Sequence, residues 1–120
     1  MFREILQRVV KKTPGALAGV VMGYDGIPVD SYAPSDMDRT TIEAVGMEFS
    51  VIMSQVRTAA TMLESGQAQD VIIRTSELTT VVRMLDRSHF AAVALKPTGL
   101  AGKARFLLRL EDGRLQEQLS

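Results

Sequence analysis

The sequence predicts an α+β domain in which five antiparallel strands form one sheet and helices pack on its faces. Apolar residues repeat every three to four positions near residues 2–12, 39–65 and 100–119, which is the period of an amphipathic helix. Short, partly β-branched runs fill the intervening segments, and the links between them are short enough to favour antiparallel neighbours. A chain of 120 residues can bury its own core, so we expect one domain over residues 1–120.

The first third of the chain predicts a helix followed by a hairpin. The helix is expected to stop at Thr13, because Pro14 restricts the residue before it. Two strands, 16–24 and 27–33, flank Asp25-Gly26, a pair typical of tight hairpin turns. Pro28 has no N–H to donate, so the second strand is expected at an edge of the sheet.

A long helix is predicted over residues 39–65, with Ser35, Asp36 and Asp38 as candidate caps before it and Gly66 as its C-cap. At 1.5 Å per residue such a helix is about 40 Å long, whereas a globule of this size is about 35 Å across. Its apolar stripe is expected to face the core and consists of Ile42, Val45, Phe49, Ile52, Met53, Val56, Ala60 and Leu63.

Three further strands, 70–75, 79–85 and 90–95, form a predicted meander that leads into a last helix over 100–119. Consecutive Val71, Ile72 and Ile73 predict burial on both sides, yet this strand begins the meander and is expected at an edge. A bare apolar edge promotes aggregation unless another strand covers it. The simplest cover is the same strand of a second copy across a two-fold axis.

Composition excludes several classes of function. Fourteen basic residues balance fourteen acidic ones, which disfavours binding to nucleic acid or to anionic membranes. Cysteine is absent and there is one histidine, so neither a disulfide framework nor a zinc site is expected. No stretch approaches 18 apolar residues, and we expect a cytoplasmic protein without membrane insertion.

Catalytic chemistry is not indicated. His89 lies in a turn beside Ser88 and is interpreted as a polar turn residue, because a nucleophile and its base need a third orienting group in space. The segment 99–103 has two residues between its glycines and no Ser or Thr after Lys103, unlike a nucleotide-binding loop. We therefore assign no catalytic, cofactor-binding or metal-ligating residue and expect a protein that is not an enzyme.

Two surface features suggest protein partners. On the long helix, Met47 lies opposite the apolar stripe among small side chains that would let a second helix approach. Near the C-terminus, Lys96, Lys103, Arg105 and Arg109 occur with no acid between residues 96 and 110, and Phe106 and Leu110 lie away from the expected core side. Such a face is either a solvated surface or a site for an acidic partner.

The order of elements resembles the roadblock / dynein light chain family. The resemblance rests on the hairpin Leu17–Val29 (LAGVVMGYDGIPV) and on the strand-to-helix joint Gly99–Arg105 (GLAGKAR). It implies a roadblock, profilin-like arrangement, with the long helix on one face of the sheet and the two terminal helices on the other.

The resemblance also implies a function, a homodimer that regulates a small Ras-like GTPase as an activator or scaffold, without supplying catalytic groups. The implied dimer contact, placed by helix phase and edge exposure, consists of Phe49, Met53, Val71, Ile72 and Ile73. The implied docking platform on the paired long helices consists of Glu43, Met47, Ser50, Ser54 and Arg57. The alternatives are a structural adaptor of a motor or polarity assembly and a small-molecule sensor, which the scarcity of aromatic residues disfavours.

Overall fold

A computed structural model describes the backbone of residues 1–120 and every side chain except that of Met37. The chain forms three helices and five strands. In chain order they are α1 (Phe2–Lys12), β1 (Ala16–Gly23), β2 (Pro28–Tyr32), α2 (Asp36–Met62), β3 (Asp70–Arg74), β4 (Thr79–Met84), β5 (His89–Leu95) and α3 (Ala101–Leu119). The strands form one antiparallel sheet in the order β2-β1-β5-β4-β3. The predicted fold class is confirmed, and both β2 and β3 are edge strands as expected.

The sheet separates two apolar layers. On one face α1 and α3 pack over β1, β4 and β5 and bury Leu6, Val93 and Leu108. On the other face α2 lies over β1, β2 and β5 and buries Met22, Ile42 and Met53. Alternate residues of β1, β4 and β5 enter the two layers, as the two-residue period of a strand requires. The terminal helices therefore share one face and the long helix takes the other.

The hairpin turn forms as Asp25-Gly26 predicts. Gly26 adopts a positive φ of 85°, which glycine allows at no steric cost. The Asp25 carboxylate accepts a hydrogen bond from the Ile27 N–H at 3.0 Å, and the Gly23 N–H donates to the Ile27 carbonyl at 3.0 Å. These bonds fix the turn that ends β1 and begins β2.

The long helix has the expected length, 27 residues, but begins and ends three residues earlier than predicted. Ser35 is the N-cap, because its hydroxyl accepts the Asp38 N–H at 3.1 Å. At the other end the prediction of Gly66 as C-cap is wrong. The chain leaves the helix at Glu64, with φ 52°, and the Glu64 and Ser65 N–H groups donate to the carbonyls of Thr61 and Ala60. Two such bonds satisfy the last carbonyls before Gly66 is reached.

Candidate protein-interaction surface

The edge strand β3 carries the apolar run Val71–Ile73 at the open side of the sheet. Val71 and Ile73 are half-buried and pack into the α2 layer, whereas Ile72 points to the other face and is 38% exposed. The expectation that this strand is buried on both sides is therefore wrong within the single chain. The strand pairs with β4 along one edge only.

The two sheet edges differ in how their backbone groups are satisfied. At β2 the Asp30 carboxylate accepts the Ser31 N–H at 2.8 Å, and the Arg3 guanidinium donates to the Ser31 carbonyl at 3.2 Å. Side chains thus cap the β2 edge, and Pro28 has no N–H there to offer. No described side chain caps the backbone of Val71, Ile72 or Ile73 in this way. Open backbone groups of this kind are a template for another strand.

The helix α2 presents uncovered apolar side chains next to that edge. Ile52 is 43% exposed, and Met62 with Leu63 at the helix end is more exposed still. Val51 is 61% exposed and projects away from the sheet, on the side of the helix opposite the buried Ile42. Ile52 lies on the flank that faces the β4–β3 half of the sheet, where Val45 lines a small gap with Leu78. The predicted burial of Ile52 is wrong, since the helix lies over β1, β2 and β5 and leaves this flank uncovered. The predicted burial of Leu63 is also wrong, because Leu63 lies after the last helical residue.

The predicted dimer contact needs one correction. Met53 is fully buried inside the chain, so its side chain cannot reach a second copy. Phe49 is half-buried, and the residues of β3 lie at the edge as expected. The consecutive apolar residues Val51, Ile52 and Met53 indicate in the sequence that part of this helix is exposed. Successive residues project about 100° apart, so three consecutive apolar residues cannot all face one core.

The five predicted platform residues form one line on α2, but most of them face the β1–β2 hairpin and not solvent. The Ser31 hydroxyl donates to the Glu43 carboxylate at 2.6 Å. Ser50 is buried, its hydroxyl donates to the Met47 carbonyl, and a β-carbon placed on Gly26 would lie 3.4 Å from it. The prediction of Ser50 as a direct partner contact is therefore wrong. Met47 is 54% exposed and is the large apolar residue that this line offers to a partner.

Ser54 and Arg57 border an open groove between the C-terminal half of α2 and the β4–β5 turn. The groove has a volume of about 850 Å³, and Asp86 and Arg87 form its opposite wall. The Arg57 guanidinium carbon lies 4.3 Å above the centre of the Tyr24 ring, a cation–π contact that fixes the direction of the charge. The groove therefore has the oriented Arg57 guanidinium on its α2 side and the β4–β5 turn on its other side.

Tyr24 is the most perturbed titratable group beside the groove. Burial raises the pKa of Tyr24 to about 12, while the Arg57 charge opposes the rise and the Asp86 charge adds to it. The Tyr24 hydroxyl is buried and has no hydrogen-bond partner among the described residues. Hydrogen bonds from the Ser88 and His89 N–H groups and the His89 ring lower the pKa of Asp86 against the opposing effect of burial.

We expect the folding stability to decline between about pH 10 and about pH 12 because of Tyr24. The folded pKa of about 12 lies above the ordinary 10.0, so the unfolded chain releases this proton first as the pH rises. The contribution of the protonated Tyr24 to the free energy of unfolding is complete below pH 10. It is lost as the pH rises through the pKa of Tyr24 in the folded protein, about 12. Urea unfolding of the wild type and of Tyr24→Phe at both ends of this range measures how the free energy of unfolding changes with pH. If the free energy of unfolding fell equally with pH in the two proteins, the assignment to Tyr24 would be contradicted.

The groups considered for catalysis have structural contacts. His89 Nδ1 lies 3.0 Å from the Asp86 carboxylate in the β4–β5 turn. Gly99 packs against Gly15, which holds the strand-to-helix joint against the end of α1. No three His, Asp or Glu side chains of the described residues lie together as metal ligands would. In the described part of the chain, no helix has the length and apolar character needed to cross a bilayer.

Comparisons with known proteins identify relatives of this fold. The family model of the Roadblock/LC7 domain matches residues 2–96. The crystal structure of MglC from Myxococcus xanthus is 32% identical, with a TM-score of 0.70 and coverage of 98% of both chains. No curated protein gives a significant sequence match.

Two more distant structures share the fold alone. MglB from Myxococcus xanthus has a TM-score of 0.81 at 8% identity, with 98% of this chain and 93% of that chain covered. Profilin IA from Acanthamoeba castellanii has a TM-score of 0.57 at 12% identity, with both chains fully covered at 100%. The long helix on one face and the terminal helices on the other are thus a known arrangement.

Proposed function

Because this chain belongs to the Roadblock/LC7 domain family, we propose that it is a homodimeric, non-catalytic regulator of a small Ras-like GTPase. The observation that carries the proposal is the open β3 edge beside the uncovered apolar flank of α2. Because one sheet edge is capped and the other is open, a single chain can pair with one second copy, through the open edge.

The proposed dimer joins β3 to the β3 of a second copy and makes one sheet of ten strands. Pairing of this kind would satisfy the outer backbone groups of Val71, Ile72 and Ile73. It would also bring two α2 helices side by side on one face, since α2 lies on the same face as the half-buried Val71 and Ile73. The proposed contact consists of Phe49, Ile52 and the three β3 residues, with Met53 supporting it from inside the core.

The proposed docking platform is the outward side of the paired α2 helices. Met47 and Val51 supply exposed apolar area, and Arg57 supplies a cation whose direction is fixed by Tyr24. Methionine and arginine are enriched at protein interfaces, and arginine is frequent among the residues that dominate binding energy. Glu43 and Ser54 are half-buried at the border of the platform, where they position the helix against the hairpin and the groove.

GTP turnover by a small Ras-like GTPase that co-purifies with this protein tests the proposal. We expect the wild type to change the turnover rate, and we expect Met47→Glu to weaken the complex at least about tenfold, because it places a charge in a desolvated contact. Val29→Glu is the matched control, since Val29 is also exposed and lies on the capped edge strand β2.

The outcomes separate the candidate functions. An unchanged turnover rate with no complex on gel filtration would refute the proposal. A complex that forms regardless of nucleotide state and leaves turnover unchanged would indicate the structural adaptor. A Met47→Glu protein that binds the GTPase as tightly as the Val29→Glu control would place the docking surface elsewhere on the dimer.

A further inference from the structure

Helix α3 has an apolar surface on the side turned away from the core. Its inner side buries Ala104, Leu108 and Leu115 against the sheet and α1. On the outer side Phe106 is 45% exposed and Leu110, one helical turn later, is 62% exposed. Large apolar residues on both sides of a helix are unusual for a surface helix, whose outer side is ordinarily polar.

The cations of the first part of α3 and of the loop before it divide into paired and unpaired groups. The Arg105 guanidinium donates to the Asp70 carboxylate at 3.1 Å and is used within the fold. Lys96, Lys103 and Arg109 are exposed, and none of them forms an ion pair with a described residue. Arg109 lies with its guanidinium carbon 5.8 Å from the centre of the Phe106 ring. The unpaired charges therefore border the exposed apolar pair.

No described residue covers this surface. A β-carbon added at Gly102 or at Gly113 would meet no atom within 4 Å, so the helix is open to solvent over three turns. The surface also lies on the opposite face of the sheet from α2. It is therefore separate from the proposed GTPase platform on α2.

We propose that this outer surface, the α3 face, docks an acidic amphipathic segment of another protein. The α3 face consists of Lys103, Phe106, Arg109 and Leu110. Lys103 and Arg109 are six residues apart, about 9 Å along the helix, with Phe106 between them. A segment with carboxylates at a similar spacing and an apolar residue between them would pair both cations and cover the ring.

Charge distribution favours a protein segment over a lipid bilayer. An anionic bilayer attracts cations by only about 1 kcal/mol each, and stable attachment needs a second signal. Glu117 is exposed on the same side of α3, two turns beyond Leu110, and would be repelled by anionic lipid. A protein partner of limited length contacts the basic half of the helix and avoids Glu117.

The probe is a blocked peptide of about four helical turns that carries leucines on one side and glutamates flanking them. Titration into the ¹⁵N-labelled full chain is expected to shift the amide resonances of residues 100–113 and to weaken with added salt. Lys103→Glu with Arg109→Glu, and separately Phe106→Ser with Leu110→Ser, are expected to raise the Kd at least about tenfold. Lys11→Glu with Lys12→Glu is the control, because it makes the same charge change at two exposed lysines of α1.

Several results would overturn the proposal. An equal loss of peptide affinity in the α1 control would mean that charge alone attracts the peptide. Resonance shifts outside α3 would place the bound peptide elsewhere. Binding of the wild type to phosphatidylglycerol vesicles without binding to the peptide would make the face a membrane contact. A changed oligomeric state of either α3 variant would make it a contact between copies. The resonance map is read on the wild type, so it does not depend on the folding of any variant.

Discussion

Ile72→Asp is expected to convert the proposed dimer into a monomer. The side chain is 38% exposed at the open edge, so the substitution leaves the core of the single chain intact. In the dimer it places one carboxylate from each copy in an apolar contact, near the two-fold axis. At about 2 kcal/mol for each copy, the cost is about 4 kcal/mol, or roughly a thousandfold in Kd. Sedimentation velocity over a concentration series measures it.

The control for Ile72→Asp is Ile27→Asp. Ile27 is also exposed and apolar, and it lies beside the capped edge strand β2. The control is expected to remain dimeric, and circular dichroism of both proteins shows that the fold is kept. An intact Ile72→Asp dimer would refute the assignment of β3 to the interface, and a monomeric Ile27→Asp would assign the contact to the opposite edge.

Gly15→Ala is expected to lower the free energy of unfolding by about 3 kcal/mol. Gly15 has a φ of 83°, which side chains rarely adopt, and a β-carbon there would lie 2.5 Å from the Gly99 Cα. Neither backbone can shift easily, since the Lys96 N–H donates to the Gly15 carbonyl at 2.9 Å and the Leu100 N–H donates to the Pro14 carbonyl at 3.0 Å. The substitution therefore strains the joint between α1, β5 and α3.

Gly113→Ala is the matched control for Gly15→Ala. Gly113 lies inside α3, and an added β-carbon there would meet nothing within 4 Å. Alanine forms helix better than glycine, so the control is expected to gain about 0.5 to 1 kcal/mol. Urea unfolding at one protein concentration compares the two variants. A Gly15→Ala protein as stable as the wild type would show that the joint between Gly15 and Gly99 is loose.

Local patterns predicted the elements of the fold because each depends on neighbours in sequence. Asp25-Gly26 specifies its turn by the positive φ of glycine and the acceptor of the aspartate. The period of apolar residues places all three helices, and Pro28 places β2 at an edge. Helix α2 begins and ends three residues earlier than its pattern predicts. Ser35 caps its start through the Asp38 N–H, and hydrogen bonds from the Glu64 and Ser65 N–H groups close its end before Gly66.

The candidate site could be predicted only in part. The apolar run of β3 and the exposed Met47 follow from the alternation of strand residues and from helix phase. The burial of Met53 follows from its place in the apolar stripe, but the burial of Ser50 and the exposure of Ile52 do not follow from either pattern. They depend on how far α2 is rotated about its axis and on the hairpin that covers one of its flanks.

The sequence alone determined the α+β fold class, a long helix of 27 residues and an apolar edge strand. Periodicity, turn chemistry and length are local properties, and they suffice for that much. The tertiary structure decided which apolar residues remain uncovered. Helix α2 lies over β1, β2 and β5, so its other flank stays open beside β3, while Arg3 and Asp30 cap the opposite edge. Such long-range placements arise from packing between distant segments, which no local pattern records.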